Sequence, residues 1–152
     1  MGLKRRALGD AIPAGAQIVL DTSPLIAYLE GSQGISEAAT LLIDDWIRNG
    51  RNRGVVSTVS ALELFVGVER STGPGADNLL DFLLQFPNLE TIAVDLDIAR
   101  EAAKVRASTR LKAPDAIIIA TAKKTSATIA TNDREWSKRC PALPIVTLDD
   151  FT

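Results

Sequence analysis

Four acidic residues stand where short apolar runs give way to helical patterns: Asp21 in "IVLDTSPL" (18–25), Glu63 in "SALE" (60–63), Asp115 in "APDAIIIATA" (113–122) and Asp133 in "TIATNDREW" (128–136). Carboxylates are the chemistry this chain offers. It has no histidine and a single cysteine, Cys140. That excludes histidine general bases, His–Asp pairs, the usual zinc sites and an intrachain disulfide framework. Hydrolysis here has to run on carboxylates, hydroxyls, lysine or a hard metal ion held by oxygen.

Each acid taken singly has a structural explanation. Acids favour the first turn of a helix, where the dipole stabilises them by roughly 0.3–1 kcal/mol. Ser23 can cap a helix with Pro24 in its first position, and Ser60 and Glu63 have the spacing of a capping box. Taken together, the acids read differently. Two carboxylates about 4 Å apart at an effective dielectric near 20 repel by about 4 kcal/mol. A cluster of four therefore calls for a cation, and oxygen-only ligands suit Mg²⁺ or Mn²⁺. Such an ion activates water and neutralises a phosphoryl oxygen, which fits phosphodiester hydrolysis.

The elements that must position these residues are short apolar strands alternating with helices. Strands are predicted at 17–21, 54–60, 89–95, 127–131 and 144–148, each a near-continuous apolar run of the kind covered on both faces. Helices are predicted near 24–30, 36–49, 61–71, 76–86, 97–111, 115–124 and 133–139, with Gly50 ending the second. The alternation implies an α/β fold with a parallel sheet between helices, whose ligands bind outside the carboxyl ends of the strands. Asp21 and Asp133 follow strands directly and reach that edge. Glu63, one turn past the second strand, can join them. Periodicity does not place Asp115, because two helices separate it from the third strand.

A chain of 152 residues suits one domain with a real core, and residues 1–16, rich in Gly, Ala and basic side chains, read as a flexible leader before a single domain over 17–152. That leader lacks the apolar stretch of a secretory signal, and no apolar run is long enough to span a membrane, so cytoplasmic residence is the expectation. The net charge of −2 argues against broad electrostatic binding of nucleic acid but leaves room for a local basic stripe. Arg100, Lys104, Arg106, Arg110 and Lys112 form either a solvated helix face or a phosphate-contacting rim.

"IVLDTSPLIAYLE", "VSTVSALELFVGV", "LKAPDAIIIATA" and "IATNDREW", in this order, resemble a PIN domain of the VapC type, the ribonuclease toxins of toxin–antitoxin pairs. The resemblance spans residues 17 to 150. It implies a PIN-like α/β/α sandwich with a parallel sheet of about five strands. It also implies an Mg²⁺- or Mn²⁺-dependent endoribonuclease with catalytic and metal-holding residues at Asp21, Glu63, Asp115 and Asp133. Thr131 matches the family's hydroxyl beside the last aspartate, and Thr22 joins it as a supporting residue. The expected partners are an RNA substrate, a cognate antitoxin and a second copy in a homodimer; Arg106, Arg110 and Lys112 are the candidate RNA contacts if the basic residues form a rim rather than a solvated face. The leader is longer than usual for the family, and "KKTSATIAT" lacks the glycine that often precedes the fourth strand.

Other classes fit less well. A receiver domain needs acids before the strand-one aspartate and a lysine after the fifth strand, which "QIVLD" and "IVTLDDF" do not supply. A dehalogenase-type phosphatase needs an aspartate at position 23, which is Ser. A catalytically silent PIN-like module that binds a partner is the non-enzymatic alternative. Trp46 and Trp136 are expected to pack rather than stack on bases, Leu79, Phe82, Leu83 and Phe86 to form a core or dimer stripe, and Cys140 to be inert.

Overall fold

The computed structural model describes residues 2–31, 34–71 and 75–152. Five strands form one all-parallel sheet in the order β3-β2-β1-β4-β5. The strands are β1 (Gln17–Leu20), β2 (Arg53–Ser57), β3 (Leu89–Ile92), β4 (Thr128–Thr131) and β5 (Ile145–Thr147). The helices are α1 (Arg5–Ala11), α2 (Thr22–Glu30), α3 (Ser36–Thr40), α4 (Thr58–Glu69), α5 (Ala76–Gln85), α6 (Leu96–Thr109), α7 (Ala113–Thr125) and α8 (Arg134–Arg139). A 3₁₀ turn, Leu148–Phe151, follows β5. No helix among the described residues is long and apolar enough to cross a membrane.

Strand pleating sends alternate side chains to opposite faces, so each strand feeds two cores. Ile18, Leu20, Val56, Ala130 and Val146 join the core covered by α1, α2, α3 and α5. Val19, Val55 and Ile129 join the core covered by α6, α7 and α8. The result is an α/β/α sandwich. Because the chain builds outward from β1 through β2 to β3 and then returns to place β4 on β1's other side, the strand order reverses between β1 and β4. A crevice opens at such a switch point, outside the carboxyl ends of the strands.

Several boundaries differ from the sequence reading. The leader is not a loose segment: α1 forms there, and Leu8 and Ile12, four apart on one helical face, are fully buried. Lys4 N donates to Phe151 O at 2.7 Å, Arg5 pairs with Asp45 at 2.8 Å, and Asn52 Nδ2 donates to Pro13 O and Ala16 O. Leu8→Ala should therefore cost about 2–5 kcal/mol in urea unfolding. A loose leader would leave the midpoint unchanged.

The helix expected over 36–49 is α-helical only to Thr40 and then π-helical over Leu41–Ile47, burying Leu41, Leu42, Ile43, Trp46 and Ile47 before Gly50 turns the chain at φ 83°. β2 ends at Ser57 rather than residue 60, because Ser57 Oγ accepts from Val59 N and starts α4 early. The capping role expected of Ser60 thus falls to Ser57, and Ser60 Oγ is buried without a partner among the described residues. β3 is shorter than expected and half-exposed, as an edge strand. Leu79 and Leu83 are buried, while Phe82 and Phe86 are partly buried around Tyr28, with ring centroids 5.9 and 6.3 Å from it.

Candidate active site

β1 and β4 run side by side to the switch point, with Leu20 opposite Ala130 and Asp21 N donating to Ala130 O at 3.0 Å. That register sets Asp21, the first residue beyond β1, next to Thr131, the last of β4. Thr131 Oγ1 donates to Asp21 Oδ2 at 2.7 Å, and Thr22 N donates to Asp21 Oδ1 at 2.7 Å. Both oxygens of a carboxylate that is only 8% exposed are thus engaged. Thr131 Oγ1 also accepts from Asp133 N at 3.0 Å, fixing the loop that carries the last acid. On the other side, Thr22 Oγ1 donates to Glu63 Oε1 at 3.3 Å. One hydrogen-bonded chain therefore runs Glu63–Thr22–Asp21–Thr131–Asp133 across the strand tips.

Ser23 Oγ accepts from Asn132 N at 3.3 Å, and Asn132 Oδ1 accepts from Asp149 N at 3.0 Å, tying the β4–α8 loop to α2 and to the C-terminal turn. Arg134 completes that brace through Asp149 and Asp150, at 3.1 and 2.6 Å.

The structural and chemical readings of the acids coexist at two positions. Asp21 caps α2 through Thr22 N, and Asp133 caps α8 through Glu135 N. Ser23, expected as the cap of α2, lies inside the helix instead. Glu63 sits in the second turn of α4, beyond the reach of a capping role. Asp115 stands in the first turn of α7, after Pro114, and accepts no hydrogen bond among the described residues.

Charge unites the group. Burial pushes the Asp21 carboxyl up to about 6 from its usual 3.8, partly offset by the Thr131 and Thr22 hydrogen bonds, and the negative charges of Asp115 and Glu63 push it further. Asp115 is also raised, first by burial and then by Asp133, while Trp136 and Lys112 pull it back. The four acids therefore act on one another around the β1–β4 crevice. Among the described residues no three of them close on a common point tightly enough to hold a cation as they stand.

The donor set fits a hard divalent ion. It is all oxygen, and the one soft donor among the described residues, Cys140, is buried with its thiol pushed up by burial. Arg106, Arg110 and Lys112 line the turn that feeds Asp115: Arg106 Nε donates to Leu111 O at 3.0 Å, Arg110 ends α6 in the left-handed conformation, and all three are exposed. Arg100 and Lys104 lie further back on α6, and Lys104 is 4.0 Å from Glu101.

Trp46 and Trp136 both pack, at 6% and 1% exposure. The sequence reading gave Trp136 no part in the site, yet its spacing of three from Asp133 puts it on the helix turn that bears that acid.

The PIN domain family matches residues 18–140. No curated protein matches the chain. Among solved structures, FitAcB from Neisseria gonorrhoeae is similar at 24% identity and TM-score 0.67, over 86% of this chain and 97% of that one. A toxin–antitoxin complex from Klebsiella pneumoniae is similar at 23% identity and TM-score 0.63, over 86% and 97%. VapBC2 from Rickettsia felis, bound to a DNA fragment from its promoter, is similar at 22% identity and TM-score 0.63, over 86% and 97%. At these identities the likeness is one of fold. It agrees with the family match, which extends from β1 past the last of the four acids, and on that match the chain belongs to the PIN domain family.

Proposed function

We propose that this chain is a metal-dependent endoribonuclease acting in the cytoplasm as the toxin of a toxin–antitoxin pair, with Mg²⁺ or Mn²⁺ as its ion. The observation that carries the reading is the hydrogen-bonded chain from Glu63 to Asp133 at the strand-order reversal, with Asp115 acting electrostatically on Asp21. Support for an antitoxin partner comes from the solved neighbour from Klebsiella pneumoniae, a toxin–antitoxin complex. A homodimer is part of the same proposal.

Asp21, Glu63, Asp115 and Asp133 would hold the ion, which supplies a lowered water pKa and charge neutralisation at the scissile phosphate. The chain's own residues do the positioning. Thr131 and Thr22 fix both oxygens of Asp21 in one orientation, and Thr22 steadies Glu63 from its other side. Lys112, Arg106 and Arg110 offer cations to the RNA backbone beside Asp115, where phosphate contacts set register without reading sequence. No histidine pair is present to promote attack by the ribose 2′-hydroxyl, so water is the nucleophile and the products carry 5′-phosphate and 3′-hydroxyl ends.

The test is cleavage of RNA by purified protein, lost in chelator and restored by Mg²⁺ or Mn²⁺, with the ends identified chemically. Cyclic-phosphate ends, or full activity in excess chelator, would sink the mechanism. In cells, expression alone should arrest growth, and Asp21→Ala should relieve the arrest at equal soluble yield. Copurification with the product of an adjacent antitoxin gene should suppress the nuclease. Equal growth of wild type and Asp21→Ala would remove the toxin reading.

A further inference from the structure

Three of the four acids have hydrogen-bond donors: Asp21 takes Thr22 N and Thr131 Oγ1, Glu63 takes Thr22 Oγ1, and Asp133 takes Glu135 N. Asp115 takes none among the described residues. Its counterpart is a donor without an acceptor. Trp136 is 1% exposed, sharing a core with Ala116 and Ile119 of α7, and its indole Nε1 is buried with no hydrogen-bond partner among the described residues. A buried indole N–H normally finds an acceptor, and leaving it unpaired is unfavourable. The indole N–H draws the half-buried Asp115 carboxyl down against its burial, so the two lie within reach of each other, though the contact falls short of a formed hydrogen bond.

We propose that Trp136 is a positioning residue of the acidic site, its indole N–H holding one Asp115 oxygen so that the other is presented to the cation. This rests on the reading of the four acids as a cation site. The ring's packing would be served by any large apolar side chain, but the N–H belongs to tryptophan alone among them. The indole comes from α8, whose N-terminal cap is Asp133, while Asp115 belongs to α7. A bond between them couples the placement of two acids on separate helices. Groups of this kind, which orient a ligand without touching the ion, commonly change metal affinity by 10- to 100-fold when removed. Closing the bond also pairs a buried donor with the half-buried carboxylate beside it.

The experiment reads the indole N–H directly in ¹⁵N-labelled, metal-free protein. The chain has two tryptophans, so Trp46→Phe and Trp136→Phe assign both indole signals. Trp46, against the Arg51 guanidinium in the other core, is the internal control. Asp115→Ala should move the Trp136 indole resonance upfield and leave that of Trp46 in place, whereas Asp115→Asn, which keeps an acceptor oxygen, should hold it nearer its wild-type position. Adding Mg²⁺ to wild type should move it downfield as the bond tightens. By calorimetry, Trp136→Phe should bind Mn²⁺ about tenfold more weakly than wild type.

A Trp136 resonance indifferent to Asp115→Ala overturns the pairing, whatever the cation does. Wild-type affinity for Mn²⁺ in folded Trp136→Phe overturns the positioning role. Should Trp136→Phe fail to fold, the Mg²⁺ response of the indole decides in its place, with no shift counting against the role. A resonance that follows Asp115 in a protein that binds neither ion overturns the cation reading of the site and leaves the pairing standing.

Discussion

Asp21→Asn should lower RNA cleavage at saturating Mg²⁺ by at least about a hundredfold, because it strips charge from the residue at the centre of the acidic group while leaving its shape. Groups one shell removed from a metal commonly cost 10- to 100-fold when lost, so removal of a ligand should cost at least the upper figure. Asn caps helices about as well as Asp, so Thr22 N keeps its acceptor and α2 keeps its start. Thr131 has to turn its hydroxyl, since the new amide donates where the carboxylate accepted.

Thr131→Val isolates that hydroxyl. It removes the donor to Asp21 and the acceptor for Asp133 N in one step, and should reduce cleavage about 10- to 100-fold without touching a carboxylate. Single-turnover cleavage of labelled RNA, alongside a separate measurement of RNA binding, checks both variants. Wild-type rates in Asp21→Asn would show that the carboxylate at the strand tip is there to cap α2.

Much of this site is legible in the chain because strand ends are. An apolar run that stops at an acid and starts a helix reports its own geometry, and Asp21 and Asp133 could be placed at one sheet edge from that pattern. Asp115 could not, since the register that brings α7 to the β1–β4 crevice is a long-range property. Only the resemblance to a known family supplied it.

The boundaries missed have local causes. "VVSTVS" carries β-branched residues past the true end of β2, and the cap at Ser57 overrides their propensity. In the leader, Leu8 and Ile12 are spaced as a helix face but sit among Gly, Ala and Arg that suggest a loose segment. A tryptophan in an amphipathic hexapeptide reads as packing, and nothing in the sequence says that its N–H is left unpaired.

Metal-free protein should lose stability as the pH rises from about 4 to about 7, and Asp21→Asn should suppress most of that loss. Asp21 has a folded value of about 6 against the ordinary 3.8. Between those values the native chain holds a proton that the unfolded chain has released, so stability falls with rising pH. The contribution is fully present below about 4 and gone once the pH passes the folded value. Its size is on the order of 3 kcal/mol, and Asp115, also raised, adds in the same direction.

Asp21→Asn carries no charge to bury. In chelator it should match wild type near pH 4 and exceed it by roughly 2–3 kcal/mol near pH 7.5. Mg²⁺ or Mn²⁺ should reverse the order by stabilising wild type, increasingly so at higher pH where Asp21 is ionised, and should do little for the variant. Urea midpoints at pH 4, 5.5 and 7.5, with chelator and with excess metal, decide between the two roles of this residue. A variant that is less stable at every pH, with the metal response of wild type, would mean that Asp21 serves the fold. A variant that is stabilised only above pH 5 and blind to metal would mean that the buried charge is kept for the ion.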